Sequence, residues 1–276
     1  MEPAVPTPRL HRSIAGSGPI VLLLHGVTRC GADWDPLNHA LTSHARVIAL
    51  DQRGHGASPR ADRYLVTDYV ADTVRFISEE VDGPLMLFGH SLGAMVSAAV
   101  AAARPDLVRG IVLEDPPFHT MGNRIGGSAW EAQFIGMRGI ARQGGSHEAM
   151  TDALSALRIP MAGGGFRTLG ELRDRASLGW SARCLGRMDP EVLTPVIEGR
   201  WLDGYDLAGT LSGIRCPVLL LQGDPSAGGA LTDEDAAAIE SAVARCSRLP
   251  FPGCGHQIHR DRPEEVWQAW QNFTRP

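Results

Sequence analysis

Short, almost continuous apolar runs recur along this chain, and they constrain its fold more than any other feature. They are rich in Val, Ile and Leu, are bounded by Gly, Pro or Asp, and cover residues 20–24, 46–50, 85–88, 110–113, 218–221 and, more weakly, 248–251. Runs without polar alternation are typical of strands buried on both faces, as in a parallel sheet that is covered by helices.

Segments with a helical pattern lie between these runs. In residues 70–81, four apolar side chains recur at a spacing that places them on one face of a helix. Residues 94–103 are helix-forming and end before Pro105, and Pro263 begins a third amphipathic segment. The alternation of strand and helix predicts an α/β fold with a mostly parallel, doubly wound sheet.

One stretch breaks the alternation. Residues 116–213 contain no clear strand, many glycines and large apolar side chains at helical intervals. We predict that this stretch, called the insert below, is a helical cap or lid over one end of the sheet. The core would then comprise residues 1–115 and 214–276. The Gly163-Gly164-Gly165 run is interpreted as a surface loop, with a mobile joint as the alternative.

The most informative motif is Gly89-His90-Ser91-Leu92-Gly93, which follows one predicted strand and precedes a predicted helix. In that context Gly-x-Ser-x-Gly is a nucleophile elbow, a tight turn that lifts the serine hydroxyl above the sheet. The amide of Leu92, at the helix start, is predicted to face a developing oxyanion. The alternative is a glycine-rich turn with an incidental serine.

A second loop follows the first predicted strand and begins His25-Gly26. Its glycine provides a backbone that can bend toward Ser91, so we predict that the Val27 amide is the second oxyanion donor. His25 is interpreted as a residue that braces this loop.

Four motifs in this order, His-Gly, Asp-x-Arg-Gly-His-Gly-x-Ser, Gly-His-Ser-Leu-Gly and a late Gly-x-Gly-His, resemble the α/β-hydrolase superfamily. The resemblance spans roughly residues 15 to 275 and is strongest to small cap-bearing esterases and lactonases. It implies an insert between the sixth and seventh core strands, where the helical stretch lies. It also implies that His256, in Gly253-Cys254-Gly255-His256, is the catalytic base, with His259 as the main rival.

The resemblance leaves two positions open for the acid. Members with a seventh-strand acid place it as Gly-x-x-Asp, whereas this chain has Gly223-Asp224-Pro225-Ser226. Members with a sixth-strand acid place it 24 residues after the nucleophile, which gives Asp115. We therefore prefer Asp115, keep Asp224 as the alternative acid, and rank Glu114 third. The non-catalytic alternative for Asp115 is a carboxylate that caps the strand end.

These residues predict hydrolysis of a carboxylic ester or lactone through an acyl-enzyme. Serine at position 91 excludes the epoxide hydrolases and haloalkane dehalogenases of the family, which need an aspartate there. Amidase and carbon–carbon bond hydrolase remain alternatives on the same triad. A further alternative is a non-catalytic protein that traps a ligand under the insert.

Composition limits the partners. The net charge is −5 and basic residues are nowhere concentrated, so no nucleic-acid partner is expected, and the substrate is predicted to be a small, uncharged or apolar molecule. No apolar run is long enough to cross a membrane, and the prolines at positions 3, 6 and 8 do not resemble a signal peptide. Five scattered cysteines suggest free thiols and a cytoplasmic location. No cofactor or metal is expected, and the chain is predicted to be a monomer or homodimer.

Overall fold

The computed structural model of this chain describes residues 9–161 and 163–275, so Pro3, Pro6 and Pro8 lie outside the described residues. Within these ranges the chain forms nine strands. They are β1 (Arg12–Ala15), β2 (Ile20–Leu24), β3 (Arg46–Leu50), β4 (Leu85–His90), β5 (Val108–Glu114), β6 (Arg158–Pro160), β7 (Phe166–Thr168), β8 (Val218–Gly223) and β9 (Cys246–Phe251).

Seven of these strands form one sheet in the order β1-β3-β2-β4-β5-β8-β9. Every neighbouring pair in it is parallel except β1 and β3. The six predicted strands are all present and adjacent, and the α/β class with a mostly parallel sheet is confirmed. The sequence did not predict β1, because this mostly exposed edge strand has no apolar run.

Twelve α-helices surround and follow these strands in the described residues. They are α1 (Asp35–Thr42), α2 (Val66–Glu80), α3 (Leu92–Ala103), α4 (Ala129–Gln143), α5 (His147–Ala156), α6 (Leu169–Leu172), α7 (Arg175–Leu185), α8 (Thr194–Ile197), α9 (Leu207–Gly213), α10 (Asp233–Ala242), α11 (Ile258–Asp261) and α12 (Pro263–Thr274). None of the described helices is long and apolar enough to span a bilayer.

The core lies on both faces of the sheet, which explains the continuous apolar runs. In β2, Leu22 and Leu24 join one buried cluster, whereas Val21 and Leu23 join a cluster on the opposite face. Because successive side chains of a strand point to opposite faces, both sets must be apolar. Helix α3 is apolar on almost all sides for a related reason, since it packs between the sheet and helices α2 and α9.

The insert contains helices α4 to α9, together with a feature that the sequence analysis missed. Strands β6 and β7 form an antiparallel hairpin, so the expectation that residues 116–213 lack strands is wrong at this point. Each strand has only three residues and β6 includes Pro160, so neither carries a recognisable strand pattern. The glycine run lies in the exposed turn of this hairpin, where Gly164 and Gly165 adopt positive φ angles.

Candidate active site

Ser91 occupies a strained turn between β4 and α3, at the centre of the sheet. Its φ of 53° and ψ of −114° lie in a region that side chains other than glycine rarely adopt. The neighbouring chain is too close for a side chain at two positions: a Cβ on Gly89 would lie 2.1 Å from the Gly93 carbonyl oxygen, and one on Gly93 would lie 1.9 Å from that of Leu24. The Gly-x-Ser-x-Gly pattern is thus required by the close contact of the turn with its surroundings.

The Ser91 hydroxyl is buried and forms no hydrogen bond within the described part of the chain. The backbone amides of Val27 and Leu92 also donate no hydrogen bond to any described residue. Gly26 brings the first loop against the elbow, because a Cβ at that position would lie 3.2 Å from the Cβ of Ser91. The surroundings of Ser91 therefore include two amide donors without acceptors, as an oxyanion site requires.

His256 lies in the loop between β9 and α11 and lines the same cavity as Ser91. Its Nδ1 donates to Asp115 Oδ2 at 2.6 Å, and its ring packs at a steep angle against Trp130 of the insert, at 5.2 Å between centroids. His90 Nε2 donates to the His256 carbonyl at 2.8 Å and so joins the elbow to this loop. Burial lowers the pKa of His90 well below its usual value, which keeps that ring neutral.

Asp115 follows the last residue of β5 and is completely buried. Besides His256, its carboxylate accepts hydrogen bonds from the amides of Gly223 (3.1 Å), Ala230 (2.7 Å) and Leu231 (3.2 Å). Its own φ of 46° is positive. Three backbone donors fix this carboxylate in one orientation, and that orientation presents Oδ2 to the histidine.

Asp224, the alternative acid, directly follows β8 and has different hydrogen-bond partners. Its carboxylate accepts hydrogen bonds from the amide and hydroxyl of Ser226 and from the Gly253 amide. In the described residues it has no hydrogen bond to His256. The Asp224 amide also donates to the Cys254 carbonyl at 2.7 Å, so this residue supports the loop that carries His256.

His259, the rival histidine, and Glu114, the third candidate acid, form a separate buried pair behind the cavity. The His259 Nδ1 contacts both oxygens of Glu114 at 2.9 Å, and its Nε2 lies 3.3 Å from Asp33 Oδ2. Burial alone would lower the pKa of His259, but the negative charges of Glu114 and Asp33 outweigh it and raise that pKa to about 9. His259 is therefore a buried imidazolium between two carboxylates.

The cavity that contains Ser91 and His256, called the inner cavity below, has a volume of about 30 Å³. Side chains of the insert form its far wall: Trp130, Gln133, Phe134, Met137 and Arg173. Some of the insert's large apolar residues thus line the cavity, while others, such as Trp201, are buried in the core. A larger cavity of about 740 Å³, the outer cavity, shares Trp130, Gln133, Arg173, His256 and Gln257 with the inner one.

Two residues in the wall of the inner cavity, Arg29 and Arg173, were not predicted from the sequence. Arg29 stands in the loop after β2, and loops at the carboxyl ends of parallel strands carry functional groups in α/β folds, so its position was an available signal. Arg173 directly follows α6 in the insert, and no local pattern distinguishes it from the other arginines. Among the described residues, no cluster of three or more His, Cys, Asp or Glu side chains could hold a metal.

Comparison with known proteins defines the class to which this fold and site correspond. A model of the alpha/beta hydrolase family matches residues 21–269, and the chain belongs to this family.

Individual relatives and structures agree with that class. The chain is 29% identical to 2-(acetamidomethylene)succinate hydrolase of Mesorhizobium japonicum, over 94% of this chain and 88% of the relative. Its structure is similar to the enol-lactonase of Burkholderia xenovorans LB400, with a TM-score of 0.73, 20% identity and 98% of each chain covered. An esterase of Exiguobacterium antarcticum matches with a TM-score of 0.75 and 16% identity, over 96% of this chain and 95% of the esterase.

Proposed function

We propose that this protein is a serine hydrolase that cleaves a carboxylic ester or lactone through an acyl-enzyme intermediate. Ser91 is the nucleophile, His256 the general base and then the general acid, and Asp115 the residue that orients the imidazole. The observation that carries this proposal is the 2.6 Å hydrogen bond from His256 to Asp115 at the edge of the cavity that contains Ser91.

The reaction follows from these positions. His256 takes the Ser91 proton as the oxygen attacks the substrate carbonyl, and the resulting imidazolium is stabilised by the Asp115 carboxylate. The amides of Val27 and Leu92 bind the oxyanion, and each such donor contributes roughly 2.7–4 kcal/mol in comparable sites. His256 then protonates the leaving group, and a water molecule, activated by the same histidine, hydrolyses the acyl-enzyme.

The small inner cavity supports a short acyl group. Its volume of about 30 Å³ leaves little free space beside Ser91, so we expect a short acyl chain to fit better than a long apolar one. The bulk of a larger leaving group would lie in the outer cavity.

Amide hydrolysis on the same triad is a second candidate. It is favoured by the 29% identical relative, whose named substrate is an acetamidomethylene derivative of succinate. Ester and amide hydrolysis share every step described above and differ in the leaving group that His256 must protonate.

The test is turnover of p-nitrophenyl acetate and butyrate by the wild type and by Ser91→Ala, Asp115→Asn and Asp224→Asn. We expect acetate to be the better substrate, Ser91→Ala and Asp115→Asn to lose activity, and Asp224→Asn to retain most of it. Labelling of Ser91 by a fluorophosphonate, read by mass spectrometry, reports on the nucleophile independently of the substrate. A folded wild type that neither turns over these esters nor reacts with the probe would contradict the proposal and favour a ligand-binding protein.

A further inference from the structure

Two arginines from distant parts of the chain line the inner cavity beside Ser91. Arg29 belongs to the loop that also carries Val27, and Arg173 belongs to the insert. Arg173 lines the outer cavity as well, so its side chain lies where the two cavities meet. A molecule that occupies both cavities would therefore lie beside Arg173.

Neither arginine has a carboxylate within ion-pair distance among the described residues. Arg29 is only 4% exposed, and its guanidinium donates to the Ser181 hydroxyl at 3.0 Å. The charge of Arg29 helps to lower the pKa of Asp33, but that carboxylate is already paired with His259 and Arg260. Arg173 is partly buried, and its side chain forms no hydrogen bond or ion pair with any described residue.

This isolation is energetically unfavourable in the free protein. Burial and the positive charge of Arg29 lower the pKa of Arg173 to about 10, and the negative charge of Asp261 only partly opposes this shift. Arg173 nevertheless remains charged at neutral pH. Placing a charge in a cavity wall without an ion-paired carboxylate carries a desolvation cost, and an anionic ligand would offset that cost.

A third polar group in the same wall points to the same ligand chemistry. Gln133 is buried, and in the described residues its amide nitrogen contacts only the thioether of Met137, at 3.9 Å. A thioether is a weak acceptor, so this amide remains available to a stronger one.

We infer that the substrate carries a carboxylate a short distance from the bond that Ser91 attacks, and that Arg29 and Arg173 bind this carboxylate. The inference rests on the proposed function and adds the substrate class to it. A planar carboxylate matches the two parallel N–H groups of a guanidinium and is compact enough for a small cavity. This substrate differs from the uncharged or apolar molecule that composition suggested.

The test compares two esters of nearly equal shape, monoethyl succinate and ethyl 4-methylpentanoate, in which an isopropyl group replaces the carboxylate. We expect the wild type to prefer the acid by roughly 100-fold or more in kcat/KM, since a site built for a polar group rejects the analogue that lacks it. Arg173→Gln and Arg29→Lys should each reduce this ratio at least about tenfold, mainly through KM, because a charge-assisted hydrogen bond is lost. Arg183→Gln, at an exposed position on α7, is the matched control and should keep the wild-type ratio.

Calorimetric titration separates this inference from the proposed function, since binding needs no turnover. Monoethyl succinate should bind the Ser91→Ala variant, and addition of Arg173→Gln should weaken that binding at least about tenfold. Circular dichroism verifies that each variant is folded. Ser91-dependent hydrolysis with no preference for the acid, or a preference that both arginine variants retain, would overturn the inference while leaving the hydrolase intact. Binding of monoethyl succinate through Arg173 without turnover of any ester would support the anion site and contradict the proposed function.

Discussion

Two histidine–carboxylate pairs lie side by side at the end of β5, and only one of them borders the inner cavity. Asp115 bonds His256, and the preceding residue, Glu114, bonds His259. His256 lines the cavity with Ser91, whereas His259 is fully buried against Trp34, at 4.3 Å between ring centroids. The chemistry of the two pairs is nearly the same, so their different roles follow from what surrounds them.

Access to Ser91 thus distinguishes the pair that we propose to be catalytic from the pair that is fully buried. Glu114 and Asp115 are adjacent, and adjacent residues at a strand end direct their side chains to different sides. The Asp115 carboxylate accepts hydrogen bonds from three backbone amides and from Nδ1 of His256. The Nε2 atom of His256 is therefore not used in this contact. His259 instead has a carboxylate near each ring nitrogen and can offer no proton without breaking an ion pair.

The largest expected effect is on catalysis by His256. In His256→Gln we expect kcat to fall by about 10⁶, because loss of the base leaves Ser91 unactivated. The melting temperature should change by no more than a few degrees, since this side chain lies at a cavity edge. Steady-state kinetics and thermal unfolding measure both quantities, and activity within tenfold of the wild type would assign the base elsewhere.

The next effect concerns the carboxylate behind each histidine. Asp115→Asn should lower kcat by about 10⁴, since an amide cannot hold the imidazole in the required tautomer or stabilise its charged form. Glu114→Gln should reduce kcat tenfold or less while lowering the melting temperature. If the two variants showed the reverse pattern, Glu114 and His259 would be the catalytic pair.

Removal of the buried histidine should affect stability more than rate. His259→Gln leaves Asp33 and Glu114 without their shared counter-ion, and breaking a buried ion pair typically costs 3–5 kcal/mol, so we expect a loss of about that size in the free energy of unfolding. Urea denaturation measures it, with His39→Gln, at an exposed position on α1, as the control. Equal stability of the two variants would show that the buried network is not a structural element.

The smallest effect is a pH dependence of stability. The pKa of His259 is raised from an unfolded value of 6.5 to about 9, so its contribution is complete below pH 6.5 and is lost as the pH rises through 9. The melting temperature of the wild type should therefore decline between pH 7 and 10 more steeply than that of His259→Gln. Parallel curves for the two proteins would argue against a charged His259.

The sequence predicts the parallel sheet well because each of its buried strands is a continuous apolar run. It predicts Ser91 for a similar reason, since strand, turn and helix are contiguous in Gly89-His90-Ser91-Leu92-Gly93. Edge strand β1 and the β6–β7 hairpin were missed, because short exposed strands have no such pattern.

The rest of the site depends on long-range packing. His256 and Asp115 are 141 positions apart, and only the resemblance to a known family suggested that they meet. The position of Arg173 beside Ser91 depends on how the insert folds over the sheet, and nothing near Arg173 in the chain encodes that. That Arg173 lacks a carboxylate partner in the described residues can be seen only once the three-dimensional structure gives its neighbours.

Backbone strain is concentrated around the reacting atoms. In the described part of the chain, three residues other than glycine adopt positive φ angles: Thr28, Ser91 and Asp115. Such conformations cost of order 1–3 kcal/mol each, so glycine at these positions would relieve the strain. At Asp115 glycine would also remove four hydrogen bonds, whereas the Ser91 hydroxyl has no partner in the described residues. A library selected only for heat resistance should therefore accumulate glycine at position 91, and those variants would be more stable but would lack the proposed nucleophile.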